Sequence, residues 1–235
     1  MTLVTVVQDV CATVGVQMPI SIFTNLTGNR TMQEMLSLAN EMAQRIAYDG
    51  REWTKFKATA TLQGDGVATA FNLPVDYKRM LLTGNVWRST TTLHPMRFIS
   101  DTDEWLNRRS RDFYDSYGEW TLLGSQIRIA PVLGANVSAY FPYVHKNCVQ
   151  LASGGVGDRF LSDTDTFALD ERLLKLGMIW QWKAEKGSPY AEDEGTYETA
   201  LAVAQGHDKP SPIIVGRLPI SAAARTAYPF PVPTP

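Results

Sequence analysis

The residues that could carry out chemistry are scattered along the chain. The three histidines are His94, His145 and His207, and the two cysteines are Cys11 and Cys148. None of them shows the close spacing of zinc ligands, and the cysteines lack a C-x-x-C arrangement. We therefore expect no metal, no other cofactor and no disulfide framework, and we predict that both cysteines are small buried apolar residues.

Nucleophile and phosphate-loop motifs are missing from the sequence. There is no G-x-S-x-G elbow, and the serines beside glycines, Ser125 and Ser153, lie in predicted turns. The run Gly154-Gly-Val-Gly157 lacks the lysine of a phosphate-binding loop and does not join a strand to a helix. It is interpreted as a flexible connection.

Carboxylates are common but mostly lie on the polar faces of predicted helices, where solvation explains them. They are Glu34, Glu41, Glu171, Glu185, Glu192, Asp193 and Glu194. Two carboxylates distant in the chain could still meet in space, as in glycoside hydrolases. A carboxylate-based hydrolase therefore remains an alternative, although no pair stands out.

A basic and aromatic cluster follows residue 107 and has the composition of a nucleic-acid surface. Its members are Arg108, Arg109, Arg111, Phe113, Tyr114 and Tyr117. Acidic residues are interleaved with it, and the whole chain has a formal charge of −2 and a pI near 5.9. We interpret the cluster as a mixed-charge loop, because nothing in the net charge attracts nucleic acid or an anionic membrane.

The chain has 235 residues, of which 44% are hydrophobic, so it can bury a sizeable core. Its start lacks a basic stretch and carries Asp9 within the apolar run, which argues against a signal peptide. No apolar run approaches the roughly 20 residues that span a bilayer. We expect synthesis in the cytoplasm and no membrane association.

The first 52 residues predict two helices. Leu3, Val7, Val10 and Val14 follow helical spacing between a candidate N-cap at Thr2 and a stop at Gly15. After a loop, Thr31-Met-Gln-Glu34 matches a capping box that opens the second helix. Two such helices cannot close a core alone, so they need a later partner.

Residues 53–150 predict a compact β-rich unit, because the apolar period changes to two after Trp53. Gly64-Asp-Gly66 indicates a hairpin turn between a first strand and Val67–Pro74. Further strands are predicted at 79–87, 120–123, 126–130 and 135–144, with a short helix at 102–109. The tryptophans Trp87, Trp105 and Trp120 make a carbohydrate- or peptide-binding module the first alternative function.

Residues 151–206 contain a predicted αα-hairpin. Its helices are separated by Gly187, which suits the position after a helix, and by Ser188-Pro189, which is typical of a helix start. The candidate packing or interface residues are Leu173, Leu176, Gly177, Trp180, Trp182, Tyr190 and Tyr197.

Residues 207–235 contain seven of the 13 prolines and therefore cannot form a regular helix or a central strand. The segment is nevertheless apolar. We expect an extended arm that orders against a partner, with a mobile tail or one folded on its own domain as alternatives.

The order of these elements resembles the head-to-tail adaptor (connector or neck) proteins of tailed bacteriophages, over residues 1–205. The motifs that carry the resemblance are Leu3-Val-Thr-Val-Val-Gln-Asp-Val10, Phe71-Asn-Leu-Pro-Val-Asp-Tyr77, Phe160-x-x-Asp163-Thr-Asp165, Asp170-Glu-x-Leu-Leu-x-Leu-Gly-x-x-Trp180 and Gly187-x-x-Tyr190-Ala-x₅-Tyr197. The resemblance implies an α+β fold. In it, N- and C-terminal helices form a bundle, with an inserted antiparallel sandwich- or barrel-like domain and an extended C-terminal arm.

The resemblance also implies a structural virion protein without catalytic residues, located at the neck of the particle. Such adaptors form a ring of twelve subunits beneath the portal protein, extend the DNA channel without reading sequence, and attach the next tail or neck component. Their C-terminal arm contacts the portal. The corresponding candidates here are Ile213, Ile214, Val215, Leu218, Ile220, Tyr228 and Phe230.

Overall fold

The structure, a computed structural model, describes residues 1–50, 52–90 and 94–208. Within these ranges the chain is a mixed α+β protein with five α-helices and three sheets. The helices are α1 (Leu3–Val14), α2 (Arg30–Tyr48), α3 (Thr102–Ser110), α4 (Glu171–Glu185) and α5 (Ala191–Asp208). Short 3₁₀ turns lie at Phe23–Asn25 and Thr54–Phe56. No helix in the described ranges is both long enough and apolar enough to cross a membrane.

The predicted starts and ends of α1 and α2 are confirmed only in part. Gly15 ends α1 in the left-handed conformation, with φ of 74°, as its position predicts. The capping box at Thr31 is wrong, because Asn29 caps α2 by accepting a hydrogen bond from the Met32 N–H at 3.3 Å. Thr31 therefore lies inside the first turn of α2.

The helical hairpin forms, with shifted ends. Gly187 has a φ of 68°, and its N–H donates to the carbonyl of Ala184, so it ends α4 as predicted. Helix α5 begins at Ala191 rather than at Pro189. It continues to Asp208, two residues beyond the predicted boundary at 206.

Four helices share one apolar core. Helix α4 contacts α1, α2 and α5, and each of them contributes buried side chains to the same cluster. Cys148, Val149, Phe160 and Phe167, from the segment before α4, complete this core. The burial of Cys148, and of Cys11 in α1, confirms the prediction for both free cysteines.

The first sheet is built around one long strand. Strand β8 (Ser138–His145) pairs on one side with β1 (Lys57–Gln63) and on the other with β3 (Tyr77–Met80) and β4 (Trp87–Arg88). Pro142 lies in β8 opposite the gap between β3 and β4, so its missing N–H removes no bond from either pair.

The predicted hairpin at Gly64–Gly66 is wrong. Strand β1 pairs with β8, not with the next strand, and the Gly64 N–H donates to the carbonyl of Val137 at 2.9 Å. A β-carbon on Gly64 would lie 2.5 Å from the carbonyl oxygen of Gly134. The glycine is thus required for close approach of two backbones rather than for a tight turn.

The second sheet has the order β2 (Ala70–Asn72), β7 (Gln126–Ala130), β6 (Glu119–Leu123) and β5 (Arg97–Phe98). Its β6–β7 pair is antiparallel and turns at Gly124, as expected, whereas β5 runs parallel to β6. Buried side chains from the first two sheets form a second core. Helix α3 lies on the other side of the second sheet, where Trp105 packs against Ala130.

The glycine-rich segment before α4 is more ordered than a flexible connection. It contains the third sheet, in which β9 (Val149–Gln150) pairs with β10 (Val156–Gly157) and β11 (Thr166–Phe167). Gly157, the end of the suspected phosphate loop, is a strand residue here.

Candidate functional site

Gly177 lies where α4 meets its neighbours most closely. A β-carbon at this position would lie 2.5 Å from Cε of Met42 in α2 and 3.3 Å from Cε2 of Tyr197 in α5. The glycine therefore lets three helices approach one another. The other α4 candidates surround this point: Leu173 is buried and Leu176 partly buried, both within the helical core.

An aromatic cluster covers the next turn of α4. Trp180 lies with its ring centroid 6.1 Å from that of Tyr197 and 6.4 Å from that of Tyr190. The guanidinium of Arg45, in α2, lies 5.1 Å from the centroid of the Trp180 ring. These distances allow ring contacts and a cation–π interaction, which bind α2 and α5 to α4.

These candidate residues mainly face the same chain. Trp180 and Trp182 are each 7% exposed and Tyr197 is 2% exposed. Tyr190 is 40% exposed, so it is the large aromatic of the set that could contact another molecule without rearrangement. The packing surface of the hairpin therefore serves first to complete the subunit.

Lysines of α4 form ion pairs with all three neighbouring helices. Lys175 lies 3.1 Å from Asp9 of α1, Lys183 2.6 Å from Asp193 of α5, and Lys186, just after α4, 2.7 Å from Glu34 of α2. Exposed pairs of this kind contribute little stability, about 0–1 kcal/mol each. Their regular placement serves to orient the helices.

Glu34 is the acidic residue of one of these ion pairs and also contacts Arg30. Hydrogen bonds from Lys186 and from Arg30 hold the pKa of the Glu34 carboxyl below its ordinary range. Because both cations lie at the surface, the effect is screened by salt. It ties the start of α2 to the end of α4.

Asp163 and Asp165 anchor the start of α1. The carbonyl of Asp165 accepts the Leu3 N–H at 2.8 Å, and that of Asp163 accepts the Val4 N–H at 3.1 Å. The Asp165 side chain is 1% exposed and accepts the N–H groups of Ala152, Leu161 and Ser162. The sequence carries no distinguishing local signal for this role, because α4 begins only at Glu171 and the donors are backbone groups.

The Asp163 carboxylate extends the same anchor to the loop after α1. It accepts hydrogen bonds from the Ile22 N–H at 2.8 Å, the Phe23 N–H at 3.3 Å and the Ser21 hydroxyl. The segment before α4 thus fixes both α1 and the loop that follows it.

Two arginines of the predicted basic and aromatic cluster, Arg108 and Arg109, contact residues of the same chain. Arg108 donates to Glu119, whose side chain is fully buried, and lies 4.8 Å from the centroid of the Phe113 ring. Arg109 lies 5.5 Å from the Trp105 ring centroid and 5.2 Å from that of Tyr114. These contacts hold α3 on the second sheet, in agreement with the mixed-charge interpretation.

The three tryptophans of the binding-module alternative do not form a common platform. Trp105 is 3% exposed and Trp120 is 4% exposed, whereas Trp87 is 39% exposed. Trp87 pairs in register with Tyr140, which is also 39% exposed. One exposed aromatic pair therefore replaces the expected triplet.

The two cysteines and the buried carboxylates are not available for chemistry in the described part of the chain. Among the described residues, no set of three or more His, Cys, Asp or Glu side chains is arranged to hold a metal ion. Burial raises the pKa of the Cys148 thiol to about 11 and also raises that of Cys11, which keeps both thiols protonated. The buried carboxylates Glu119 and Asp165 are each occupied by donors from the chain.

Three apolar side chains in the described part of the chain are almost fully exposed. Ile20, in the loop after α1, is 95% exposed, and Val75 and Leu82, which flank β3, are 93% and 87% exposed. The Leu82 N–H donates to the Glu52 carboxylate, so Leu82 lies near the end of α2, whereas Ile20 lies by its start. The predicted arm residues Ile213, Ile214, Val215, Leu218, Ile220, Tyr228 and Phe230 lie outside the described residues.

The comparisons with known proteins identify no family for the chain. No protein-family model matches it, and no curated protein matches its sequence.

Proposed function

We propose that the protein is a head-to-tail adaptor of a tailed bacteriophage, a structural virion protein that forms a ring below the portal and attaches the tail. The observation that best supports the proposal is the position of α4. Helices from the start of the chain, α1 and α2, pack on it beside α5 from the end, while the strands from β1 to β8 lie between them in sequence. In this interpretation the helices form a bundle and residues 53–150 form an inserted β-rich domain.

The state of the reactive groups also favours a structural role. The carboxylates, arginines and thiols that could act in catalysis or anion binding instead hold α1, α3 and the core in place. The residues with the strongest packing constraints, such as Gly177, bring helices together. A subunit built this way has a rigid body and leaves its outer surface for neighbours.

The exposed apolar residues suggest how neighbouring subunits meet. Ile20 and Leu82 lie near opposite ends of α2, whose 19 residues span about 28 Å. A ring requires each subunit to present one surface to its left neighbour and a different one to its right. Two separated apolar spots suit such a heterologous contact better than a twofold dimer does.

The charge of the chain suits a channel through which DNA moves. The formal charge is −2, and each lysine or arginine that contacts phosphate adds a salt-dependent hold on the backbone. A mildly acidic ring of twelve such chains would let DNA pass without binding it by sequence. The apolar residues after 208, from Ile213 to Phe230, remain our candidates for the portal contact.

Electron microscopy of the full-length protein, alone and mixed with the portal protein of the same genome, tests the proposal. We expect rings on the portal, with or without rings in the protein alone. A protein that stays monomeric in both samples contradicts it. Glycan binding by the monomer would instead support the binding module, and hydrolysis lost on a single Asp or Glu substitution would support the hydrolase.

A pair of matched variants tests the surface. Leu82→Asp should weaken ring assembly while leaving the circular dichroism spectrum unchanged. Leu161→Asp is the control, because Leu161 is also exposed, at 62%, but lies beside the Asp165 loop. If both variants assemble equally well, Leu82 does not lie in the interface between subunits.

A further inference from the structure

Strand β1 is an open edge of the first sheet. It pairs with β8 on one side, in a continuous register from Lys57 to Gln63. The hydrogen bond from the Gly64 N–H to the Val137 carbonyl continues this register by one residue. Because hydrogen-bonded positions alternate along an antiparallel pair, the even-numbered residues of β1 direct their N–H and C=O groups toward β8. The N–H and C=O groups of Thr59, Thr61 and Gln63 therefore point away from the sheet, and no described residue pairs with them; the Lys57 N–H donates to the carbonyl of Thr54.

This edge lacks the features by which proteins usually protect such strands. Strand β1 has seven residues without a proline or a bulge, and its one charged residue is Lys57 at its start. Its inner face carries the small side chains Ala58 and Ala60. An edge of this length and regularity is a template for one more strand.

The described chain ends beside this edge. The carboxylate of Asp208, the last residue of α5, accepts the Thr54 N–H at 3.0 Å and the Thr54 hydroxyl at 3.2 Å. Thr54 comes three residues before β1. The 27 residues that follow Asp208 therefore start at the N-terminal end of the open edge.

The sequence after Asp208 contains a segment suited to a strand. Prolines at 210 and 212 are followed by Ile213-Ile-Val-Gly-Arg-Leu218, which has no proline, and then by Pro219. Three consecutive β-branched residues favour an extended backbone. Either the odd-numbered or the even-numbered residues of this segment would face the sheet interior, and each of these two sets contains two apolar side chains. The four residues 209–212 span at most about 14 Å, enough to pass from Thr54 to the start of β1.

We propose that residues 213–218 pair with the free edge of β1 in the same chain, as a strand parallel to β1. The direction follows from the exit point, since the chain starts at the N-terminal end of β1 and runs along it. The same chain is the occupant because a short tether gives an effective concentration on the order of millimolar. The N–H groups of Thr59 and Thr61 then donate to this added strand.

The pairing concerns the free chain and does not depend on the adaptor function. Ile213, Ile214 and Val215 are also candidates for the portal contact, so the two contacts compete for the same residues. If the protein is an adaptor, portal binding releases this segment from β1.

Hydrogen exchange of the full-length protein tests the pairing residue by residue. Ile214→Pro and Val215→Pro are both needed, because adjacent strand residues point their N–H groups to opposite sides. At least one of them, and we expect both, should raise the exchange rates of the Thr59 and Thr61 amides by about tenfold or more. Ala223→Pro, in the same tail but outside the segment, should leave these rates unchanged.

The amides of Ala60 and Leu62, which point toward β8, report whether β1 itself is intact and should exchange equally in all variants. Thr59 and Thr61 amides that exchange at the same rate in the unsubstituted protein and in both proline variants would overturn the proposal. Protection that increases with protein concentration would also overturn it, because the added strand would then come from another copy.

Discussion

Tyr197 is the one buried side chain of the 18-residue helix α5, whose other core contacts come from the partly buried Ala200, Leu201 and Ala204. Its ring contacts Trp180 and lies against Gly177 at the closest approach of α4 and α5. Replacement by alanine should remove the main apolar contact of α5 with the helical core and lower the free energy of unfolding substantially.

The size of this effect follows from the area that the ring buries. An aromatic side chain buries about 150–250 Å², which at about 25 cal/mol per Å² corresponds to about 4–6 kcal/mol. Alanine retains the β-carbon, and the unfolded chain already covers part of the ring. We therefore expect Tyr197→Ala to cost about 3 kcal/mol, within the range of large-to-small substitutions in cores.

Urea unfolding followed by far-ultraviolet circular dichroism measures this loss. Tyr197→Phe keeps the ring and should cost less than about 1 kcal/mol, and Thr199→Ala, on the exposed face of the same helix, should change stability by less than about 0.5 kcal/mol. A loss below about 1 kcal/mol for Tyr197→Ala would refute the reasoning, because α5 would then be held by other contacts.

The remaining predictions concern glycines, buried carboxylates and titrating groups. Gly195→Ala should raise the free energy of unfolding by about 0.5–1 kcal/mol, because no atom lies near the added β-carbon. Gly177→Val should lower the free energy of unfolding, because Met42 and Tyr197 occupy the space that the new side chain needs. Asp165→Ala should cost about 3 kcal/mol in urea unfolding, because three backbone N–H groups lose a buried charged acceptor. Asp158→Ala, with a side chain that is 47% exposed, is the control. Cys148 is fully buried and burial raises the pKa of its thiol to about 11, so labelling by a disulfide reagent at pH 8 should require opening of the core. Lys186 and Arg30 lower the pKa of Glu34 in the folded protein. The ion pairs of Glu34 therefore stabilise the fold above the ordinary glutamate pKa of about 4.3, and this stabilisation is lost as the pH falls. Glu34→Gln should make the free energy of unfolding depend less on pH in the acid range.

The helices could be predicted because their signals are local. Apolar spacing located α1, α2, α4 and α5, and Gly15 and Gly187 marked two of their ends. The start of α2 was missed for a local reason too. Asn29 and Thr31 are both favourable caps two residues apart, and the sequence does not say which one the helix uses.

Strand pairing could not be predicted, because its partners are distant. The alternation from Lys57 to Gln63 identifies β1 as a strand, but its partner β8 begins at Ser138. The local glycine signal at Gly64 favoured a hairpin, and the long-range contact with Val137 prevailed. Long-range pairing depends on the assembled core, which a local pattern does not contain.

The candidate site, too, depends on long-range contacts that a local sequence pattern does not predict. The apolar stripe with Trp180 and Tyr197 predicted burial but not the identity of the covering surface, and the structure covers it with α2 and α5 of the same chain. The carboxylate of Asp165 carried no distinguishing local signal for its three backbone donors.

The central place of α4 has a consequence for synthesis. Helices α1 and α2 display apolar stripes that are covered largely by α4 and by the segment just before it, yet α4 begins about 120 residues after α2 ends. At roughly 5–20 residues per second, a ribosome needs on the order of 10 seconds to make that stretch. During this interval the apolar stripes of the nascent N-terminal helices lack their later partners. The helical core closes only after α4 and α5 have been synthesised.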